Sequence, residues 1–160
     1  MGMNVVFARV DNRLMHGIVI TQYFPTTGAK RIMVVDDDTA NNPARKDMMN
    51  LAKPNGVASS IITFEKAKEN ILANKYGDQT IFLLAKSPRT IAEIVKLGVP
   101  IKKLIIGCTD MLNEGHKLSD RAFINDDEVE ACKELRDAGT QIVVQHNPAI
   151  PQVDVWSVLK

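Results

Sequence analysis

The chain has 160 residues, 45% hydrophobic and 24% charged, which is enough apolar material for one full core and too much for a disordered chain. Its 20 Lys and Arg against 19 Asp and Glu give a formal net charge of +1, which offers no basic footprint for nucleic acid. No apolar run approaches the ~18 residues of a membrane span, and the start, Met1-Gly2-Met3-Asn4, has no cationic region before an unbroken apolar one, so no signal peptide is expected. Cys108 and Cys132 lack metal-type spacing and read as reduced core or near-core residues, which fits a cytoplasmic protein.

Strands and helices alternate along the chain. Val5 to Val10 is a β-prone run that leads into a polar turn, Asp11 to His16, and Gly17 to Phe24 then reads as a short helix stopped by Pro25 and Gly28. Arg31 to Asp36 is a continuous apolar run, the pattern of a strand buried on both faces. Asp38 or Thr39 is expected to cap the next segment, and Asn42 to Leu51 reads as a helix that carries Pro43 in its first turn. After a turn at Pro54-Asn55-Gly56 come a strand, Ala58 to Thr63, and a helix, Phe64 to Leu72. Thr80 to Ala85 is a fourth strand, and Ser87-Pro88 opens a helix whose Ile91, Ile94 and Val95 form an apolar stripe, ended by Gly98. Lys103 to Ile106 is a fifth strand. Asp126 or Asp127 is expected to cap a helix closed by Gly139, and Gln141 to Val144 is a sixth strand. The least regular segment runs from Gly107 to Asn125, where Ser119 to Ile124 could add an edge strand.

This alternation predicts an α/β fold: a three-layer α/β/α sandwich on a mostly parallel sheet of about six strands, with residues 1–160 as a single domain. In a parallel sheet all strand C-termini open on one edge, where ligands bind. The loops there are Asp11 to His16, Asp36 to Asn41, Lys86-Ser87 and Gly107 to Asp110.

His16 falls at the amino end of the first helix, where free N–H groups favour an anion, and a neutral imidazole is a competent nucleophile. Arg13 adds a planar fork suited to phosphate oxygens, and Asp11 could accept a hydrogen bond from Arg13 or from the ring. One reading is phosphate chemistry on the histidine itself. The other is that His16 merely caps a helix while Arg13 and Asp11 form a surface ion pair. Elsewhere, His116 reads as a solvated loop residue and His146 as a strand-end residue. Asp36-Asp37-Asp38 could suggest a Mg²⁺ pocket, but helix capping explains Asp38 and no separate phosphoacceptor aspartate stands out. Cys108 has no basic neighbour in sequence and reads as an unreactive small residue.

The stretch Arg9-Val10-Asp11-Asn12-Arg13-Leu14-Met15-His16-Gly17 resembles the active-site signature of the IIB components of the mannose–fructose–sorbose family of the bacterial phosphotransferase system. The resemblance continues through Arg31 to Asp38, Asn42 to Lys46, Lys53 to Val57, Leu97 to Leu104 and Asn125 to Glu130, so it covers most of the chain. It implies a catalytic set of His16, phosphorylated by a IIA phosphohistidine, with Arg13 and Asp11 as supporting groups, and no cofactor or metal. It also implies that phosphate passes to a sugar held by membrane IIC and IID partners, and leaves open association with further copies of the chain. Ile18 stands where glutamine is usual, Tyr23 where a tryptophan is expected, and Gly107 to Gly115 departs from a glycine-rich pattern, which bears on the sugar. An N-acetylgalactosamine or galactosamine type is the expectation. For the IIA contact, Met15, Ile18 and Tyr23 are expected to form an apolar rim, with Arg9, Arg13 and Lys86 as positive contributors. The alternative function class is a regulatory or phosphate-ligand-binding module of similar fold.

Overall fold

The structure is a computed structural model that describes residues 3–110 and 112–159. Met1 and Gly2 from the stretch read for a signal peptide, Met111 in the irregular segment, and Lys160 lie outside the described residues.

The apolar runs become the strands β1 (Asn4–Asp11), β2 (Arg31–Val35), β3 (Ala58–Ile62), β4 (Thr80–Ala85) and β5 (Lys103–Cys108). After these come β6 (His116–Ser119), β7 (Ala122–Ile124), β8 (Gln141–Val144) and β9 (Val153–Asp154). The main sheet has seven strands in the order β3-β2-β4-β1-β5-β8-β9, parallel except for β9. The expected mostly parallel sheet is therefore observed with one strand more than read from the sequence. That strand, β9, is two residues long and exposed, too short to leave a hydrophobic pattern. Ser119 to Ile124 is not an edge strand of this sheet: β6 and β7 pair antiparallel with each other. Ser119 Oγ accepts the Arg121 N–H at 3.1 Å to close the turn, and Ala122, Phe123 and Ile124 are all buried.

The helices are α1 (Gly17–Tyr23), α2 (Asp37–Ala40), α3 (Pro43–Leu51), α4 (Phe64–Leu72), α5 (Pro88–Lys96) and α6 (Asp126–Asp137). Two expected caps shift. Asp36 rather than Asp38 or Thr39 caps α2, because a cap must sit one residue ahead of the first helical turn, and Asn42 caps α3. Asn125 rather than Asp126 or Asp127 caps α6, and Glu128 closes a capping box with it.

Period-2 alternation divides the core. Ile32, Val34, Phe82 and Leu84 face α1 and Met49 of α3, whereas Met33, Val35, Ile81 and Leu83 face α4, α5 and α6. The chain leaves β1 across α1 towards β2, and leaves β5 across α6 towards β8, on the opposite face. Connections that diverge in this way open a crevice at the C-terminal ends of β1 and β5. Of the four predicted site loops, Asp11 to His16 and Gly107 to Asp110 meet there, whereas Asp36 to Asn41 and Lys86-Ser87 lie at neighbouring clefts of the same edge.

One side chain breaks the apolar alternation of β1. Arg9 is fully buried among the residues that face α1. Its Nη1 donates to the Gln145 carbonyl at 2.8 Å and to the Tyr23 hydroxyl at 3.1 Å, and Nη2 donates to the His146 carbonyl at 2.6 Å. Nε donates to Asp11 at 3.0 Å. The guanidinium lies against Gly107 of β5, where an added Cβ would stand 1.9 Å from Nη2 and 2.3 Å from Cζ. A guanidinium tied at four points cannot step aside. Gly107→Ala should therefore cost about 3 kcal/mol or more through overpacking and a broken buried ion pair, read as a lower urea midpoint. A midpoint unchanged from the parent would show that Arg9 is not held against that strand.

Candidate functional site

Asp11 ends β1 fully buried and is the hub of the site. Its Oδ2 accepts from Arg9 Nε at 3.0 Å and from Arg13 Nη2 at 2.8 Å. Its Oδ1 accepts from Arg13 Nε and from the Arg13 backbone N–H, both at 2.9 Å. Burial alone would push the carboxyl pKa up. The Arg13 hydrogen bonds, with the charges of Arg9 and Arg13, outweigh burial and hold the pKa below the usual carboxylate value. The same hydrogen bond from Asp11 raises the pKa of Arg13. Of the two expected partners of Asp11, the structure shows Arg13 and not the His16 ring. The pair is not a surface ion pair, because one partner has no solvent exposure at all.

Past Asp11 the chain turns tightly. The Leu14 N–H reaches the Asp11 carbonyl at 3.1 Å, and the His16 N–H reaches the Leu14 carbonyl at 2.9 Å. Leu14 takes φ +54°, a left-handed conformation that a non-glycine residue adopts only when its surroundings impose it. What imposes it is the burial of Leu14 and Met15 in the core under α1. The turn thus uses two apolar side chains as anchors and leaves His16 exposed at the cap position of α1. His16 Nδ1 accepts the Ile18 N–H at 3.2 Å, so that nitrogen is unprotonated and the neutral ring carries its proton on Nε2. An added Cβ on Gly17 would meet nothing within 4 Å, so the space beside His16 is open.

The expected apolar rim is mostly not at the surface. Met15 is an anchor of the turn, and Tyr23 is buried because its ring lies 4.7 Å from the Arg9 guanidinium. Arg9 is itself buried, so it contributes no surface charge. Ile18 remains exposed, Arg13 is one-quarter exposed at 25%, and Lys86 leans towards Asp36 at 3.8 Å.

Next to Arg13, the divergence of β1 and β5 leaves a cleft of about 200 Å³ that Arg13, Arg121 and His146 help to line. Cys108 lies at its wall with Sγ 3.1 Å from His146 Nδ1. Burial pushes the Cys108 thiol up, which agrees with an unreactive side chain, although its basic neighbour is 38 residues away in sequence. Gln145, His146 and Arg121 were invisible as site residues because only the sheet order brings the first two to β1 and only the β6–β7 hairpin brings Arg121 there; Gly107 was the one available signal. His116 is exposed, 2.7 Å from Asp126. The Asp36 and Asp37 carboxylates accept backbone N–H groups of Thr39 and Phe64, and among the described residues no three His, Cys, Asp or Glu side chains converge as metal ligands.

Residues 5–160 match the family described as PTS system sorbose subfamily IIB component. The chain is 30% identical over 157 residues to the N-acetylgalactosamine-specific phosphotransferase enzyme IIB component 2 of Escherichia coli, covering 98% of this chain and 99% of that one. It is 26% identical to the mannose-specific EIIAB component of Escherichia coli, covering 98% of this chain and 49% of that protein. Among solved structures it superposes on the IIBSor domain of the sorbose permease of Klebsiella pneumoniae with a TM-score of 0.87 at 28% identity, covering 97% of this chain and 95% of that one. With a family match over nearly its whole length and the same fold, the chain belongs to the sorbose subfamily of PTS IIB components.

Proposed function

We propose that this chain, as a single IIB domain, accepts a phosphoryl group from a IIA phosphohistidine on His16 Nδ1 and passes it to a sugar. The observation that carries the reading is the exposed His16 ring, whose unprotonated Nδ1 accepts a backbone N–H at the start of α1, three residues after an arginine whose guanidinium is fixed by a buried carboxylate. Attack by the Nδ1 lone pair forms the new P–N bond as the bond to the donor ring breaks, the electron pair staying on the donor nitrogen. The Ile18 N–H that Nδ1 now accepts can pass to a phosphoryl oxygen. Arg13 uses Nε and Nη2 on Asp11, and its Nη1 makes no hydrogen bond among the described residues, so it can face the phosphoryl charge. Transfer is then mainly positioning and charge stabilisation, for which these side chains suffice. In the second half-reaction a sugar hydroxyl attacks phosphorus, the electron pair of the P–N bond returns to Nδ1, and the hydroxyl proton is released to water.

The IIA partnership is supported by the mannose-specific relative, whose name joins A and B in one protein. Membrane IIC and IID components as holders of the sugar belong to the same proposal, as does a cytoplasmic location. Among the described residues no helix is long and apolar enough to cross a membrane. An N-acetylgalactosamine-type sugar is favoured by the Escherichia coli IIB relative, which bears that specificity in its name.

His16→Gln should abolish acid-labile labelling by phosphorylated IIA while the chain stays folded, with a urea midpoint lowered only by the loss of the α1 cap, about 1 kcal/mol. Mass spectrometry that still finds phosphate on this variant would move the acceptor elsewhere. Arg13→Lys keeps the charge but loses the fork that spans both Asp11 oxygens, so transfer should slow by roughly tenfold or more. Quenched transfer assays with equal rates for the parent and this variant would leave Arg13 with a merely structural role.

A further inference from the structure

The strand-end cleft that Arg13 lines is charged unlike its neighbours. Arg13 and Arg121 both line it, and no carboxylate does. The two other clefts formed by the loops of this edge carry carboxylates: Asp36, Asp37 and Asp38 in one, and Asp110, Asp127 and Glu128 in the other. In a chain of formal net charge +1, cations gathered without acids are a local arrangement and not an overall excess.

The arrangement is built. Thr109, at the end of β5, donates its N–H to the Arg121 carbonyl at 3.0 Å, and its Oγ1 accepts the Phe123 N–H at 2.8 Å. These bonds fasten the β6–β7 hairpin so that its turn delivers Arg121 to the cleft. Among the described residues the Arg121 guanidinium makes no ion pair or hydrogen bond, in contrast to Arg9, Arg13 and Arg89. His146 is fixed from two sides, through its carbonyl by Arg9 at 2.6 Å and through Nδ1 by Cys108 at 3.1 Å. Burial, followed by the charges of Arg13 and Arg121, pushes its imidazole pKa down, so the ring is neutral. With a protonated thiol donating to Nδ1, the ring proton sits on Nε2 as a further donor.

We propose that this cleft is a phosphomonoester-binding site, with the open Arg121 guanidinium fork, the unengaged Nη1 of Arg13 and His146 as its donors. Two guanidiniums and one N–H match the three acceptor oxygens of a phosphate dianion. A volume of about 200 Å³ admits that group and part of a hexose. The site rests on the reading that phosphate passes through this edge, and assigns it a second station at Arg13, on residues from the turn after β1, the end of β5, the β6–β7 hairpin and the β8–β9 connection. The dianion could arrive as a sugar phosphate leaving His16 or as the phosphoryl group still attached to it.

Backbone amide shifts of the full chain, titrated at fixed ionic strength with a hexose 6-phosphate, inorganic phosphate and the free hexose, test this. The phosphates should shift Thr109, Arg121 and His146 and raise the His146 pKa; the free hexose should not. Arg121→Gln, at an exposed residue, should weaken hexose 6-phosphate binding by roughly tenfold, and Arg121→Lys by less. Phosphorylating His16 separates the sources. Shifts at Arg121 and His146 on phosphorylation, with loss of hexose 6-phosphate binding, assign the cleft to the attached group; retained binding assigns it to the product. His16→Gln leaves the titration readable, so failure of the phosphohistidine reading is distinct from failure of the cleft. Unchanged hexose 6-phosphate affinity in Arg121→Gln, or equal shifts from the free hexose, would overturn the proposal.

Discussion

Everything at the strand-end edge depends on one buried carboxylate holding two guanidiniums of different exposure. A fully buried Asp11 with a single partner would be costly, because desolvating two charges commonly cancels their attraction. Here four hydrogen bonds from Arg9 and Arg13 occupy both carboxylate oxygens. The buried arginine is in turn satisfied by two carbonyls and a tyrosine hydroxyl, and none of the buried side-chain polar atoms in the described residues lacks a partner. The network therefore fixes geometry more than it adds stability. It ties the end of β1 to α1 and to the segment after β8, and it holds Arg13 while leaving one quarter of that side chain to solvent.

This division explains why the turn tolerates strain at Leu14. A left-handed leucine is unfavourable by itself, but it turns Leu14 and Met15 into the core and His16 outwards within three residues. The His16 ring can be exposed without being loose, because Leu14 and Met15 before it are buried and α1 begins directly after it. Histidine as the cap of α1 serves the same end, since the Ile18 N–H selects the ring tautomer.

Much of this was legible in the sequence, and the parts that were not share a cause. Local signals placed α4, β4 and β8 at their observed limits, because each is bounded by turn residues and carries a clear apolar pattern. The Asp11 to His16 turn was legible for the same reason: its chemistry is concentrated in six consecutive residues. Arg9 reads in the sequence as a surface charge, since periodicity shows that a residue points inwards but not that it finds partners 136 residues away. Tyr23 reads as part of a docking rim because a seven-residue helix is too short for its buried face to be separated from its exposed one, and Met15 does so because a turn has no periodicity to show that its side chain points inwards. Gly107 carried the missing information. A glycine inside an apolar strand marks the close approach of another group, and here that group is the arginine of the neighbouring strand.

The placement of charge also separates two tasks that a single arginine could not perform together. A guanidinium saturated by carboxylate and carbonyl oxygens is rigid but cannot receive an anion, and one without partners is available but poorly fixed. Arg9 takes the first role completely, Arg121 is open, and Arg13 lies between them with one edge on Asp11 and Nη1 unengaged among the described residues. Such a gradient from buried to exposed charge attracts an incoming dianion at the open Arg121 end, while the Asp11 carboxylate moderates the pull of Arg13 and keeps the site from becoming an irreversible trap. For a carrier that must both accept and release its phosphoryl group, moderate binding at a fixed position is the requirement, and a half-neutralised arginine beside an exposed histidine meets it.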